Sequence, residues 1–146
     1  MESATRNLRS IDDPAGPSVL AVDDQAAFRD VVRQLVQATG GMVVVGEAES
    51  GERALELVEQ LSPDLVLMDV RMPGIGGVSA TRTIKKAYPS TVVVLVSTAA
   101  PEELPAEAGE CLADALVWKG ALRPSVLEEL WRRHRPRQEP GANSAA

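Results

Sequence analysis

Cysteine and histidine are almost missing from this chain of 146 residues. Cys111 is the single cysteine, so no intramolecular disulfide can form and a reducing compartment suits the chain. His134 is the single histidine. It lies in the basic stretch Arg132-Arg133-His134-Arg135 and does not read as a catalytic base. No apolar stretch approaches the ~20 residues of a membrane span. The first 17 residues lack the apolar segment of a signal peptide. No internal repeat is present. Together these absences point to the cytoplasm, and no membrane partner is expected.

What charge there is has one dominant sign. The formal net charge of −6 favours solubility and argues against general nucleic-acid binding. Residues 18–130 hold nine basic and seventeen acidic side chains, a balance of −8. By contrast, Arg132, Arg133, Arg135 and Arg137 occur without an acid among them. They read either as a nucleic-acid patch or as the basic end of a helix, where the macrodipole favours cations; the second is preferred. The length fits one domain with tails. Residues 1–17 are expected to be a disordered arm, 18–135 the folded domain, and 136–146 (PRQEPGANSAA) a disordered tail.

Inside the domain, apolar runs alternate with helical patterns. Strands are expected over 18–23, 42–45, 64–69, 91–97 and 114–118. Phe28, Val31, Val32, Leu35 and Val36 recur at helical spacing before Gly40. Ala54, Leu55, Val58 and Leu61 do so before Ser62-Pro63, and Val78, Thr81, Ile84 and Tyr88 before Pro89. A weaker helix is expected over 102–110, where Pro105 limits its length. Leu122, Val126, Leu127, Leu130 and Trp131 line a last helix. The strands are continuous apolar runs, as required when helices cover both faces of a parallel sheet. The expected fold is therefore α/β: a (βα)5 chain with a doubly wound, parallel, five-stranded sheet. Trp118 and Trp131 read as core or interface residues.

Four of the apolar runs end on chemically useful residues: Asp23-Asp24, Asp69, Ser97 and Lys119. In a parallel sheet these ends share one edge, where ligands bind at the switch in strand order. Each residue also has a plainer explanation. Asp24 could cap the helix starting near Gln25, and Asp69 could serve the turn at Pro73-Gly74. Lys119 could be an ordinary surface lysine, and Ser97 a local backbone hydrogen-bonder. Taken together, three clustered carboxylates repel one another, and a divalent cation such as Mg²⁺ would offset that repulsion. Asp69 is then a candidate nucleophile toward a phosphoryl donor. Such a transfer needs mainly alignment and charge stabilisation, which a metal and Lys119 can supply.

The stretches Val19-Leu20-Ala21-Val22-Asp23-Asp24 and Asp64-Leu65-Val66-Leu67-Met68-Asp69-Val70-Arg71-Met72-Pro73-Gly74, with Ser97 and Lys119 in order, resemble the receiver domain of two-component response regulators. The match covers roughly residues 18–132. Val45-Gly46-Glu47-Ala48 and the Met-Pro-Gly segment are most similar to receivers that precede a LuxR-type helix-turn-helix. The resemblance implies a flavodoxin-like receiver fold and an aspartyl phosphate formed on Asp69 by a histidine kinase or phosphotransfer protein. It places Mg²⁺ among Asp23, Asp24, Asp69 and the backbone carbonyl of Arg71. It pairs Lys119 with a phosphoryl oxygen and has Ser97 hydrogen-bond the phosphoryl group as a switch. A receiver assists its own phosphorylation and dephosphorylation and is not an enzyme acting on an external substrate.

Three positions depart from the family pattern. Leu116 stands where Phe or Tyr is frequent three residues before the Lys, Gly120 follows the Lys where Pro is common, and Gly76 replaces an Asp of the Met-Pro-Gly loop. Leu116 and Pro105 are where coupling to the fourth-helix face is expected to differ. The sequence ends where an output domain would start, so a single-domain regulator working through another protein is expected, with homodimerisation left open. A phosphorylation-independent binding module is the alternative. A haloacid-dehalogenase-like phosphohydrolase is disfavoured, because those enzymes carry an acid two residues after the nucleophile and Arg71 stands there.

Overall fold

Val19, Leu20, Ala21 and Val22 offer water no polar side chain, so the strand they form has to be covered on both faces. The computed structural model describes residues 16–99 and 112–136. Strands β1 (Ser18–Val22), β2 (Val43–Ala48), β3 (Leu65–Asp69), β4 (Val92–Ser97) and β5 (Ala115–Trp118) form one sheet. Every pairing is parallel, and the spatial order is β2-β1-β3-β4-β5. Helices α1 (Ala26–Thr39), α2 (Gly51–Leu61), α3 (Gly76–Ala87) and α4 (Pro124–His134) cover it.

Alternate residues of each strand serve opposite cores. Val19, Ala21, Leu65, Leu67, Val92, Val94 and Val96 pack with Val32 and Val36 of α1 and Leu127 and Trp131 of α4. Leu20, Val22, Val66, Met68, Val93 and Leu95 pack with Ala54, Leu57 and Val58 of α2 and Ala80 and Ile84 of α3. Leu20, Leu65 and Leu95 are completely buried, each contributing roughly 1.5–3 kcal/mol over an exposed position. The central strands β1, β3 and β4 are therefore the rigid floor of the molecule. From β1 the chain goes one way to β2, then back across β1 to β3. That reversal puts the switch point between the carboxyl ends of β1 and β3.

Local signals explain most boundaries. Ser50 caps α2 by accepting the Arg53 amide (3.1 Å), and Pro124 occupies the first turn of α4. The far edge of the sheet is pinned by polar staples. Asp64 Oδ2 accepts from the Ser18 amide (2.8 Å), and Asp114 Oδ2 accepts from the Val93 amide (2.9 Å) and Lys85 Nζ (2.8 Å).

Several expectations need adjusting. Strand β2 runs on through Gly46 and Glu47 to Ala48 rather than stopping at Val45. Gly46 lies under α2, where a Cβ would come 2.8 Å from Leu61 Cδ1 and the leucine would have to shift to make room. The pairing also shifts register between Val19 and Leu20. Strand β5 begins at Ala115 rather than 114. Tyr88, expected on a buried helix face, is the exposed C-cap of α3. Gly16 and Pro17, assigned to the arm, are buried, and the Pro17 carbonyl accepts the Val43 amide (3.1 Å). The expected helix over 102–110, with Pro105 and Cys111, lies outside the described residues, as do residues 1–15 and 137–146.

Candidate functional site

Asp23 follows β1 directly and is 1% exposed, so each of its polar atoms has to find a partner inside the protein. Its amide donates to the Ala48 carbonyl (3.0 Å), and its carbonyl accepts from Arg29 Nη1 (2.7 Å). Oδ1 accepts the Gln25 amide (2.8 Å), and Oδ2 accepts Lys119 Nζ (2.7 Å). Arg29 is itself held by Glu47 of β2 (3.2 Å), which also binds Arg33 (2.9 Å). The capping role considered for Asp24 is not the one found. Gln25 is the N-cap, without a side-chain cap bond, and the carboxylate that reaches its amide belongs to Asp23. Asp24 is exposed and free to face a ligand.

Asp69 ends β3 and is 8% exposed. Its placement depends on a glycine. A Cβ on Gly77 would lie 1.9 Å from the Asp69 carbonyl oxygen, so only glycine lets the start of α3 sit against the strand end. The Gly77 amide donates to the Val70 carbonyl (3.0 Å), and the Val70 amide to the Val96 carbonyl (3.0 Å). Between them, Gly74 (φ 84) and Gly76 (φ 78) occupy left-handed backbone that other residues resist. Ligand oxygens of Asp23, Asp24 and Asp69 lie within 4.8 Å of one another.

Burial pushes the Asp69 carboxyl up from 3.8 to about 6. The neighbouring Asp23 and Asp24 charges push the same way, while Lys119 and a backbone hydrogen bond from Arg71 pull it down. Lys119 opens a short 3-10 turn (Lys119–Ala121) directly after β5. Its ammonium lies 2.7 Å from Asp23 Oδ2 and 3.7 Å from Asp69 Oδ1. A third contact was not visible in the sequence. The Nζ stands 4.1 Å from the centroid of the Phe28 ring, in the first turn of α1.

Asp23, Asp24, Asp69 and Lys119 are thus brought together. Ser97 is buried at the end of β4, on the same edge of the sheet, and its Oγ accepts the Ala99 amide (2.9 Å). Arg71 is exposed beside the site. Trp118 is 50% exposed, with Nε1 donating to the Thr98 carbonyl (3.2 Å) and its ring against Gly120. Trp131 is a core residue. His134 ends α4, and Arg132 and Arg135 of that region line a cleft with Gly16 and residues 39–42 at the opposite edge of the sheet. Arg132 and Arg133 pair with Glu129 (2.7 and 3.3 Å), as on a solvated helix face.

Chemically, the site offers hard oxygen donors to a cation, a buried carboxylate of raised basicity, and a fixed ammonium. Residues 19–130 match the family described as the response regulator receiver domain. The chain is 40% identical over 103 residues to the response regulator GacA of Pseudomonas viridiflava, covering 70% of this chain and 48% of that protein. It is 34% identical over 113 residues to the response regulator UvrY of Escherichia coli (strain K12), covering 77% and 52%. The chain spans about half the length of these curated relatives. A crystal structure of a LuxR-family two-component response regulator from Aurantimonas sp. SI85-9A1 superposes with a TM-score of 0.73 at 27% identity, covering 88% of this chain and 94% of that one.

Proposed function

The chain belongs to the response regulator receiver domain family, and from that premise we propose that Asp69 accepts a phosphoryl group from the phosphohistidine of a histidine kinase or phosphotransfer protein. A carboxylate oxygen of Asp69 forms the new bond to phosphorus. The donor's bond to phosphorus breaks and its electron pair leaves with the donor. The observation that carries this reading is the pairing of a buried carboxylate at a strand end with a lysine that two acids share, 2.7 Å from one and 3.7 Å from the other.

Lys119 stabilises negative charge on the transferred group, where a positioned cation contributes most. Asp23 holds Lys119 in place until then. Ser97 supplies a hydroxyl whose oxygen accepts the Ala99 amide and whose proton can be donated to a phosphoryl oxygen. The donor set fits Mg²⁺: three carboxylates in a small space, one of them held above its ordinary pKa by burial first and by its two acidic neighbours second. Asp23, Asp24 and Asp69, with the backbone carbonyl of Arg71, would hold it. Bound there, magnesium would neutralise the acids and polarise the phosphoryl oxygens. The chain then works as a cytoplasmic phosphoacceptor that assists its own phosphorylation and dephosphorylation, with output through contact with another protein.

Intact mass after exposure to a small acyl phosphate with Mg²⁺ tests this. A gain of one phosphoryl group, absent in Asp69→Asn, is expected; no gain, or a gain that survives the substitution, refutes it. Leu116 favours a second reading, a binding module indifferent to phosphorylation, because this half-exposed aliphatic residue of β5 has no ring to report the switch. Equal partner affinity for wild type and Asp69→Asn would support that alternative.

A further inference from the structure

Lys119 is attached to an edge of the molecule that does little to hold it. Strand β5 is an edge strand whose four residues are all partly or well exposed, and the turn that carries Lys119 is three residues long. A lysine on a four-carbon stem has many rotamers, yet its side chain here is only 12% exposed. Asp23 holds one side of the ammonium, and the Phe28 ring faces it at 4.1 Å. We propose that Phe28 is a positioning residue for phosphoryl transfer: its ring face keeps the Lys119 ammonium at the carboxylates without neutralising it.

The two partners act differently. A carboxylate attracts the ammonium by taking its charge, so a lysine held by acids alone is held against the incoming anion. The quadrupole of a ring attracts the cation and forms no competing ion pair. Phe28 is well placed to do this because its backbone is fixed. Its amide donates to the Gln25 carbonyl (3.1 Å), Gln25 is tied to Asp23, and Arg29 is bound to the Asp23 carbonyl. Asp23 and the ring are thus tied together through the backbone of residues 23–29, and Lys119 joins them to β5. A purely structural Phe28 would also pack against the core it borders, so the test has to separate ring from bulk.

The inference rests on the phosphoacceptor reading, and the experiment is chosen so that the two can fail separately. In the full chain, Phe28→Leu keeps apolar bulk and removes the ring, whereas Phe28→Tyr keeps the ring. Phosphorylation by a small acyl phosphate with Mg²⁺ is expected to slow about tenfold in Phe28→Leu and to be rescued in Phe28→Tyr. In a Lys119→Met background, Phe28→Leu is expected to add nothing. Equal slowing in both backgrounds, or no rescue by Tyr in a folded protein, overturns the proposal. A second measurement holds even if the chain accepts no phosphoryl group. The Lys119 Hε protons are expected to be ring-shifted upfield in the NMR spectrum and to move downfield in Phe28→Leu. Unshifted Lys119 protons in the wild type overturn the proposal by themselves.

Discussion

Replacing Asp69 with Asn should stabilise the metal-free protein at neutral pH, although it removes the residue on which the chemistry is proposed to occur. In the unfolded chain the carboxyl titrates near 3.8, and in the folded chain near 6. Between those values the folded state keeps a proton that the unfolded state has lost, so stability falls as pH rises through this window. Below about 3.8 the group's contribution is fully present. Above about 6 both states are ionised and ~3 kcal/mol has been lost, at about 1.4 kcal/mol per pH unit. Asp69 is 8% exposed, so solvent screening reduces this little. Asn resembles the protonated acid in shape and cannot ionise. The variant should therefore exceed wild type by ~3 kcal/mol at about pH 8, or ~10 °C in Tm, with the advantage vanishing near pH 4. Thermal melts followed by circular dichroism in chelator, from about pH 4 to about pH 8, measure this. An Asn variant no more stable than wild type at neutral pH, or an advantage independent of pH, would refute the electrostatic account of the site.

Magnesium should act through the same carboxylate: at a hundred times its Kd it should raise wild-type stability by ~2.7 kcal/mol, and calorimetry should show a much smaller rise for Asp69→Asn. Gly77→Ala should destabilise by ~3 kcal/mol or more, since its Cβ would lie 1.9 Å from the Asp69 carbonyl; a melt within about 1 kcal/mol of wild type would contradict that packing. Trp118 should report the state of the site, because its indole N–H is bound to Thr98, the residue after Ser97. Its emission should change on phosphorylation, and the change should disappear in Trp118→Phe, while the core Trp131 remains silent; a change surviving in Trp118→Phe would remove that role.

Asp23, Asp24, Asp69 and Lys119 were legible because each closes an apolar run, and strand ends in a parallel sheet share one edge. Phe28 was not legible as part of the site. An apolar residue at helical spacing reads as core, and nothing local says that a lysine from the last strand will lie on its ring. Strand β2 outruns its expected end at Val45 for a related reason: Gly46 packs beneath Leu61 of α2, a contact outside the strand. The capping role considered for Asp24 is not filled by a side chain at all; the backbone at Gln25 instead turns its amide toward the buried Asp23 carboxylate.

By itself, the sequence determined the fold class, the edge of the sheet that gathers the acids and the lysine, and the residue types found there. Those follow from periodicity and from which residue ends each run, and both are local properties. Only the tertiary structure decided how the charges share one another. Lys119 lies closer to Asp23 than to Asp69, a ring backs it, and burial brings Asp69 to a pKa of about 6. Electrostatic energies depend on separation and on the exclusion of water, and both are set by how β1, β3 and β5 are stacked in space rather than by their order along the chain.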